Sequence, residues 1–387
     1  MHEKHGGDSS RERDISPITP REKSLRAVLT PRKAAAVPAA EVVVDKKILE
    51  FDLAPHQAVP DARSKDAPAF APLSKGCTDL LDAMSGPVVL ELNAGSAGFT
   101  AAIIARGVEG IAIDHVKNEH TTKTRVLHID MTRPGGQAVI RALCATGRVQ
   151  HVHAAPPCGT GSRAREIKIP QYLIDQGAPE PVPLRSNEHP RGLPDLVGVS
   201  LLRVKSANII YDFIAALIME FPLITFSVEN PSRAYIWLFE AYIEIAAMPG
   251  WTRIEYQGCM HGGRRPKWSC WLTNVPELTL LSLNGKCDNS HVHLPYSVKK
   301  SFDKQSFGKR KWNFATNSEA EYPKELCALA ADAIIENLRN RGFRCPIPTF
   351  KDDEGVPEVK RRRLAAAVGL SPWTHAPCNH LRVCKGH

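Results

Sequence analysis

The chain lacks the long apolar runs that would place it in a membrane or export it. Its most apolar stretch, residues 209–228, is interrupted by Asp212, Glu220 and Pro222, which excludes a span through hydrocarbon. The first residues, MHEKHGGDSSRERD, are charged and have no apolar signal-peptide core. Ten cysteines are scattered through 387 residues. We therefore expect a reducing compartment, nuclear or cytoplasmic, and neither secretion nor membrane insertion.

Acidic residues are also in deficit. The chain has 50 Lys and Arg against 41 Asp and Glu, a net charge of +9. This excess favours an acidic partner such as nucleic acid, although a solvated basic surface gives the same sum. The phosphate-binding pattern GxxxxGKS is absent, as is the CxxC and HxxxH spacing of ordinary zinc fingers. Hydrophobic residues make up 43% of the chain, which excludes disorder throughout.

Both ends of the chain are basic and have no core-forming pattern. Residues 1–75, with RERD, PREK and PRKAAAVPAA, are predicted to be a disordered basic arm, and residues 346–387 a disordered basic tail. The tail contains KRRR at residues 360–363, which fits either a nuclear address or a solvated run of charge. Residues 76–345 between them are predicted to form one domain, with a small insert over residues 272–312.

Short apolar segments alternate with helical patterns in this domain. PVVLEL (87–92) is followed by the loop NAGSAG and a helical pattern, and GIAID (110–114), RVLHID (125–130) and VQHVHAAPP (149–157) are further candidate strands. The alternation predicts an α/β fold with a Rossmann-like, mostly parallel sheet and helices on both faces. In such a sheet a ligand binds at the carboxyl edge of the strands.

Three of these strands end in an acid. Glu91 ends the first, Asp114 follows it 23 residues later at the end of the second, and Asp130 ends the third. Asp114 can accept both ribose hydroxyls, and Asp130 could meet an adenine edge. Gly95 and Gly98 would let the backbone approach a ligand, although a tight turn is the simpler interpretation. Because three acids would repel a pyrophosphate, S-adenosylmethionine fits this edge better than ATP or NAD.

Two later strand ends carry groups that could do chemistry. The fourth strand leads into HAAPPCGTGSRARE, where two prolines fix the exit of Cys158 and where Arg163 and Arg165 could favour its thiolate. A strand in PLITFSVENP ends at Glu229, which could face the same pocket. A buried, unreactive thiol and an ordinary strand-end glutamate are the alternatives.

The order of LELNAGSAGF, IAID, HID, PPC, ENP and GGRRPKWSCWLTN resembles the motif series of DNA cytosine-5 methyltransferases over about residues 88–340. The resemblance implies that Cys158 adds to carbon 6 of cytosine and that Glu229 hydrogen-bonds or protonates ring N3. It also implies that Arg265 and Lys267 hold the ring oxygen and a nearby phosphate, with the base turned out of the duplex. S-adenosylmethionine would be held by Glu91, Asn93, Gly95, Gly98, Asp114, Asp130 and Pro156.

The sequence also departs from that family. Asn93 stands where an aromatic residue is usual, Gly159 where glutamine follows PPC, Gly263 where a glutamine leads the basic motif, and Lys267 in place of its second arginine. The insert is also much shorter than the usual target-reading region. An alternative is therefore a catalytically degenerate module, such as part of a mobile-element protein, that binds nucleic acid or a protein partner. The resemblance favours DNA over RNA and leaves the oligomeric state open.

A proline-rich segment, residues 169–196, is predicted to form a loop over the pocket. Arginines in and beside it could contact nucleic-acid phosphates, or could be solvated charges. These arginines are Arg163, Arg165, Arg185 and Arg191. Residues 321–340 are predicted to form a packing helix without a chemical role.

Cysteines and histidines cluster between residues 259 and 293. The segment CDNSHVH has a C-x3-H-x-H spacing that is typical of metal ligands. A structural zinc site formed by Cys259, Cys287, His291 and His293 is one interpretation, in which the metal would staple the short insert. Scattered core cysteines and surface histidines are the other, and the neighbouring Cys270 and His261 belong to the same set of candidates.

Overall fold

A computed structural model describes residues 75–283, 285–302, 310–314 and 319–346 of the chain. Residues 1–74 of the predicted arm and 347–387 of the predicted tail, with the KRRR cluster, lie outside these ranges. Lys75, the last residue of the predicted arm, begins a helix instead.

The described residues form a seven-stranded sheet with helices on both faces. Its strands are β1 (Val88–Leu92), β2 (Glu109–Asp114), β3 (Val126–His128), β4 (Val149–Ala154), β5 (Thr225–Pro231), β6 (Thr252–Gln257) and β7 (Trp268–Thr273). The helices are α1 (Lys75–Asp82), α2 (Gly98–Ile104), α3 (Pro134–Ala145), α4 (Gln171–Asp175), α5 (Gly198–Glu220), α6 (Glu240–Ala247) and α7 (Lys324–Asn340). None of the helices in these ranges is long and apolar enough to cross a bilayer.

The strand order is β3-β2-β1-β4-β5-β7-β6. All neighbours from β3 to β5 are parallel, and β7 is antiparallel to both β5 and β6. The predicted fold class, an α/β fold with a mostly parallel Rossmann-like sheet and helices on both faces, is confirmed. Because the strand order reverses between β1 and β4, a crevice opens there beyond the carboxyl ends of the strands, where ligands of such sheets bind.

Alternation along the central strands divides the core in two. Leu90 and Leu92 of β1 pack with α3, α5 and α6 on one face, whereas Val89 packs with α2 and α7 on the other. Every residue of β1 is buried, as expected for a central parallel strand covered on both sides. The two layers fix the carboxyl ends of β1 and β4 relative to each other.

The chain beyond β7 contributes to the core and then forms a hairpin, since Leu278 and Leu281 pack in the same cluster as α2 and α7. A 3₁₀ helix (Pro276–Ser282) is followed by residues 285–297 and by a two-stranded antiparallel hairpin, β8 (Val298–Phe302) and β9 (Arg310–Phe314). The insert predicted from residue 272 thus starts inside β7, since Leu272 and Thr273 still pair with β5 and β6.

Candidate active site

The loop between β1 and α2 is held in a left-handed conformation that exposes its backbone. Asn93, Gly95 and Ala97 have φ values of 56°, 54° and 54°. Glycine and asparagine adopt this region at low cost. Asp114, at the end of β2, accepts the Gly95 N–H through Oδ2 at 2.6 Å and the His115 N–H through Oδ1 at 2.6 Å. The acid predicted to hold a ribose therefore stands against the glycine loop.

Glu91 is buried below the same loop. Its Oε2 accepts the backbone N–H of Thr100 at 2.8 Å and the hydroxyl of Thr100 at 2.5 Å. Burial raises the pKa of Glu91 to about 7, against the hydrogen bonds from Thr100 that lower it. Near neutral pH this group is therefore only partly ionised, so it adds less negative charge to the cavity than its residue type suggests.

The turn that carries Cys158 is fixed from three sides. The N–H of Ala155 donates to the carbonyl of Leu92 at 3.0 Å, so the turn starts beside the end of β1. The Tyr211 hydroxyl of α5 donates to the carbonyl of Pro157 at 2.6 Å, and the Asn230 side chain donates to the carbonyl of Pro156 at 2.9 Å. Since Asn230 follows Glu229, the two predicted catalytic segments are tied together.

Cys158 is half-buried and lies within the electrostatic influence of two predicted partners. Loss of water around its thiolate raises the pKa of Cys158, the charge of Lys267 lowers it, and the charge of Glu229 raises it. Glu229 itself is buried at the end of β5, 8% exposed. The sequence-predicted thiol, acid and lysine are thus brought together at one point of the sheet edge.

These groups line one cavity of about 2200 Å³. That is more than the few hundred to about 1000 Å³ of a typical small-molecule site, so there is room for a nucleoside and a second ligand. The predicted residues in its wall are Glu91, Asn93, Gly95, Gly98, Asp114, Pro156, Cys158, Arg163, Arg165, Glu229 and Lys267. Much of the predicted loop 169–196 lines it as well.

A second cation, missed by the sequence analysis, stands beside Arg165 in this wall. Burial and then the charge of Arg203 lower the pKa of Arg165, while the Arg165 guanidinium donates to the carbonyls of Gly159 and Val182. Arg203 lies on α5, and its Nη2 would be 3.7 Å from a Cβ placed on Gly159. Two neighbouring cations create a favourable position for an anion. No local sequence signal marks Arg203, because only the fold brings α5 over the turn.

A chain of buried hydrogen bonds leads away from Glu229. Tyr322 donates to Glu229 Oε2 at 3.3 Å and lies 3.1 Å from Nε2 of His153. His153 Nδ1 is 2.8 Å from Ser227 Oγ, which is 3.1 Å from Nε2 of His151. Burial lowers the pKa of His153 to about 3 and that of His151 well below its usual value, so both rings are neutral.

Neither this chain nor a role for Tyr322 was predicted from the sequence. His151 and His153 occupy alternate positions of β4, and two polar residues on one face of a buried strand were a usable signal. Tyr322 had none, since it is 93 residues from Glu229 and lies in the segment 321–340, which was predicted only to pack as a helix and becomes helical from Lys324.

Arg185 and Arg191, predicted to contact phosphates, lie elsewhere. Arg185 is 1% exposed, and its guanidinium donates to Thr160, to the carbonyl of Pro190 and to Asn208. It therefore holds the loop from inside and cannot reach a phosphate, a correction that follows from its burial. Arg191 forms an exposed ion pair with Asp212 at 2.5 Å and is not among the described residues that line the cavity.

Arg265 and Asp130 also lie outside the described lining of the cavity. Arg265 donates to Glu319 at 3.0 Å and to the carbonyl of Pro295 at 3.1 Å. Its guanidinium therefore holds the region after β7, and only Lys267 of the basic pair acts on the thiol. Asp130 follows β3 by two residues and accepts the N–H and hydroxyl of Thr132 at 2.9 and 2.6 Å, so its position as an adenine contact remains a prediction.

The four predicted metal ligands converge away from this cavity. One ligand atom from each of Cys259, Cys287, His291 and His293 lies within 4.8 Å of the others. Cys270 is instead fully buried in β7, and His261 Nε2 lies 2.8 Å from the carbonyl of Leu281. Of the six candidate metal ligands, the structure thus brings together the four that were predicted to form the zinc site.

Comparisons with known proteins give only a distant fold likeness. No protein-family model and no curated protein matches the chain. Among solved structures it is similar to a DNMT2 mutant of Spodoptera frugiperda, at 14% identity and TM-score 0.30, covering 48% of this chain and 49% of that one. It is also similar to the methyltransferase EhMeth of Entamoeba histolytica, at 11% identity and TM-score 0.29, covering 56% of this chain and 59% of that one. A third similar structure is a DNA modification methyltransferase of an E. coli prophage, at 13% identity and TM-score 0.28, covering 48% of this chain and 46% of that one. The chain spans about half the length of these proteins, and values this low assign no function to it.

Proposed function

We propose that the chain transfers a methyl group from S-adenosylmethionine to carbon 5 of cytosine in DNA, with Cys158 as nucleophile. The observation that carries this proposal is the meeting of Cys158, Glu229 and Lys267 in the cavity that also contains Asp114 and the glycine loop. A thiol and a carboxylate thus lie at the ends of two neighbouring parallel strands, beside a loop of the kind that binds nucleosides. They supply the nucleophile and the acid that this reaction needs.

The residues around the glycine loop fit the cofactor. Among the described residues none hydrogen-bonds to the buried Oδ1 of Asn93, which lines the cavity and can accept from a ligand. Asp114 lines the cavity at the end of β2, and each of its carboxylate oxygens, which already accepts one backbone N–H, could accept a ribose hydroxyl with its other lone pair. Gly95 and Gly98 line the cavity as well. When bound, S-adenosylmethionine would supply an electrophilic methyl group on a sulfonium.

The residues of the chain would make carbon 5 reactive. The Cys158 thiolate forms a bond to carbon 6, and the π electrons of the C5–C6 bond move toward carbon 5. Glu229 hydrogen-bonds ring N3 and supplies a proton as negative charge develops there. After methylation the carbon 5 proton leaves to solvent, the C5–C6 double bond re-forms as the thiolate is expelled, and the proton on N3 returns to Glu229. Arg165 and Arg203 would hold a DNA phosphate near the turn.

A direct test incubates the full chain with unmethylated DNA and S-adenosylmethionine and measures 5-methylcytosine by mass spectrometry of the nucleosides. Methylated cytosine in the product supports the proposal, and methyl groups on adenine or on cytosine N4 overturn it. The alternative, a binding module without chemistry, is favoured by the pairing of Arg265 with Glu319. It predicts salt-dependent DNA binding with no cofactor binding and no methylation.

Asp114→Ala should weaken cofactor binding by about 10-fold to 100-fold, because one charge-assisted hydrogen bond to the ribose, worth about 1.5–3 kcal/mol, is lost. Isothermal titration calorimetry with S-adenosylhomocysteine measures the change. Asp175→Ala is the matched control, since Asp175 is an exposed acid of α4 that accepts from Gln171. Equal dissociation constants for the two variants would remove Asp114 from the cofactor site.

Lys267→Met should move the ionisation of Cys158 to higher pH. The charge of Lys267 lowers the pKa of this thiol, so its removal leaves less thiolate at any given pH. Peptide mass spectrometry measures the rate of iodoacetamide alkylation at Cys158 as a function of pH. We expect the midpoint of this pH dependence to rise by about one pH unit. Lys168→Met removes another cation of the cavity wall and should leave the midpoint unchanged. A midpoint that stays in place in both variants contradicts the assignment of Lys267.

A further inference from the structure

We propose that Cys259, Cys287, His291 and His293 bind one Zn²⁺ ion, which fastens residues 285–297 to the loop after β6. This site is separate from the proposed reaction and does not depend on it. Two thiolates and two imidazoles are the ligand set of a closed, four-coordinate structural zinc site. The two thiolate charges would balance the charge of the ion, so the site can be half-buried without a net charge.

The distances between three of the ligand atoms are close to the edges of a tetrahedron. Cys287 Sγ lies 3.4 Å from His293 Nε2 and 3.8 Å from His291 Nε2, and the two Nε2 atoms are 3.0 Å apart. Bond lengths of about 2.3 Å to sulfur and 2.0–2.1 Å to nitrogen give tetrahedral edges of about 3.5 Å between sulfur and nitrogen and about 3.3 Å between nitrogens. These three atoms need move by only a few tenths of an ångström to share one ion, and the sulfur of Cys259 lies within 4.8 Å of them.

The hydrogen bonds around Cys287 suit a thiolate that binds a metal. The backbone N–H of Asn289, a residue with φ 58°, donates to Cys287 Sγ at 3.3 Å. The N–H of Cys287 itself donates to Gln257 Oε1 at 2.6 Å. Donors directed at a ligand sulfur stabilise its ionised form and fix its orientation, as outer partners of metal ligands do.

The site connects two segments that end at the cavity. Cys259 follows β6, whereas the other three ligands lie within residues 287–293. From there Leu294 donates its N–H to the carbonyl of Arg264 at 2.9 Å, and Arg265 donates to the carbonyl of Pro295 at 3.1 Å. Tyr296 and Lys267, on either side of these contacts, both line the cavity. An ion here would support the wall of the cavity from the side that faces away from it, in a stretch of chain with few helices or strands.

The metal content of the full chain tests the proposal. We expect about one zinc per chain by inductively coupled plasma mass spectrometry after purification under reducing conditions without chelators. Cys259→Ser/Cys287→Ser should carry none, and Cys345→Ser and His128→Gln, which alter a cysteine and a histidine outside the cluster, should keep it. Because the double variant could fail to fold, Co²⁺ is also titrated into the zinc-depleted unchanged chain, where a thiolate-ligated tetrahedral centre gives intense visible bands.

A second readout follows the role of the ion. Chelation should speed tryptic cleavage after Lys286, which is exposed beside the site, more than cleavage elsewhere in the described domain. Three results would overturn the proposal. The first is a chain that has neither zinc nor the cobalt spectrum, in which case the four residues form only a hydrogen-bonded cluster. The second is a Cys259–Cys287 disulfide in the purified protein, and the third is full zinc content in a folded double variant. Because no cofactor or DNA is added, these results stand apart from any failure of methyl transfer.

Discussion

Cys158→Ser is expected to abolish the covalent complex that the unchanged chain forms with DNA containing 5-fluorocytosine. In the proposed reaction the thiolate is released only after the substituent at carbon 5 leaves as a cation. A proton can leave in this way and fluorine cannot, so the adduct should persist once the methyl group has been transferred. Serine has the same shape, but its hydroxyl is far less nucleophilic at neutral pH. Methyl transfer to ordinary DNA should fall about 1000-fold or more.

The measurement is a denaturing gel of chain, cofactor and fluorinated DNA, with the attachment site located by mass spectrometry. Cys345→Ser is the matched control, because this cysteine is half-buried and lies outside the cavity. Attachment at any cysteine other than 158, or undiminished methylation by Cys158→Ser, would refute the assigned nucleophile. Calorimetry of the variant with S-adenosylhomocysteine shows whether the cavity is intact.

The fold, and the convergence of several candidate residues at one edge of the sheet, could be predicted from the sequence because both depend on local patterns. Apolar runs of five to seven residues with polar ends fix the strands, and parallel strands bring Asp114, Cys158 and Glu229 to one edge whatever the details of the loops. The cluster of candidate metal ligands could be predicted for a similar reason, since three of its members lie within seven residues. Short sequence separation keeps such groups close in almost any fold.

The roles of individual cations could not be read in the same way. Arg163 and Arg185 both lie in polar, proline-rich sequence, yet only packing against Tyr211 and Phe239 buries the second. Arg265 and Lys267 are two residues apart and both donate to Glu319, more than 50 residues away, yet of the two only Lys267 is in the described lining of the cavity. Such choices are decided by long-range contacts between loops, for which no periodicity exists.

Glu229→Gln is expected to lower kcat by about 100-fold to 10,000-fold while cofactor binding stays within about two-fold, because the amide cannot supply the proton at N3. Tyr322→Phe should lower kcat by about 10-fold, since it removes the donor that orients this carboxylate. Tyr256→Phe is the matched control, a buried tyrosine near enough for the Glu229 charge to raise its pKa. Single-turnover rates of methyl transfer measure all three variants.

The buried hydrogen bonds behind Tyr322 give a physical reason for its expected effect on proton transfer by Glu229. With both histidines neutral, each ring has one donor and one acceptor, so the hydrogen bonds from Tyr322 through His153 and Ser227 to His151 must all point the same way. When Glu229 is ionised, Tyr322 donates to it and accepts from His153. When Glu229 carries a proton, Tyr322 can accept that proton's hydrogen bond and donate to His153, and the remaining bonds reverse.

Reversal lets the interior stabilise either state of Glu229 without a buried charge on a histidine. Tyr322→Phe removes the partner that Glu229 has in either state, so the loss of kcat should be larger than in Tyr256→Phe. A residue that merely filled space would lower kcat no more than the Tyr256→Phe change does. Equal single-turnover rates for the two variants would show that the chain is structural and that Glu229 is governed by the cavity alone.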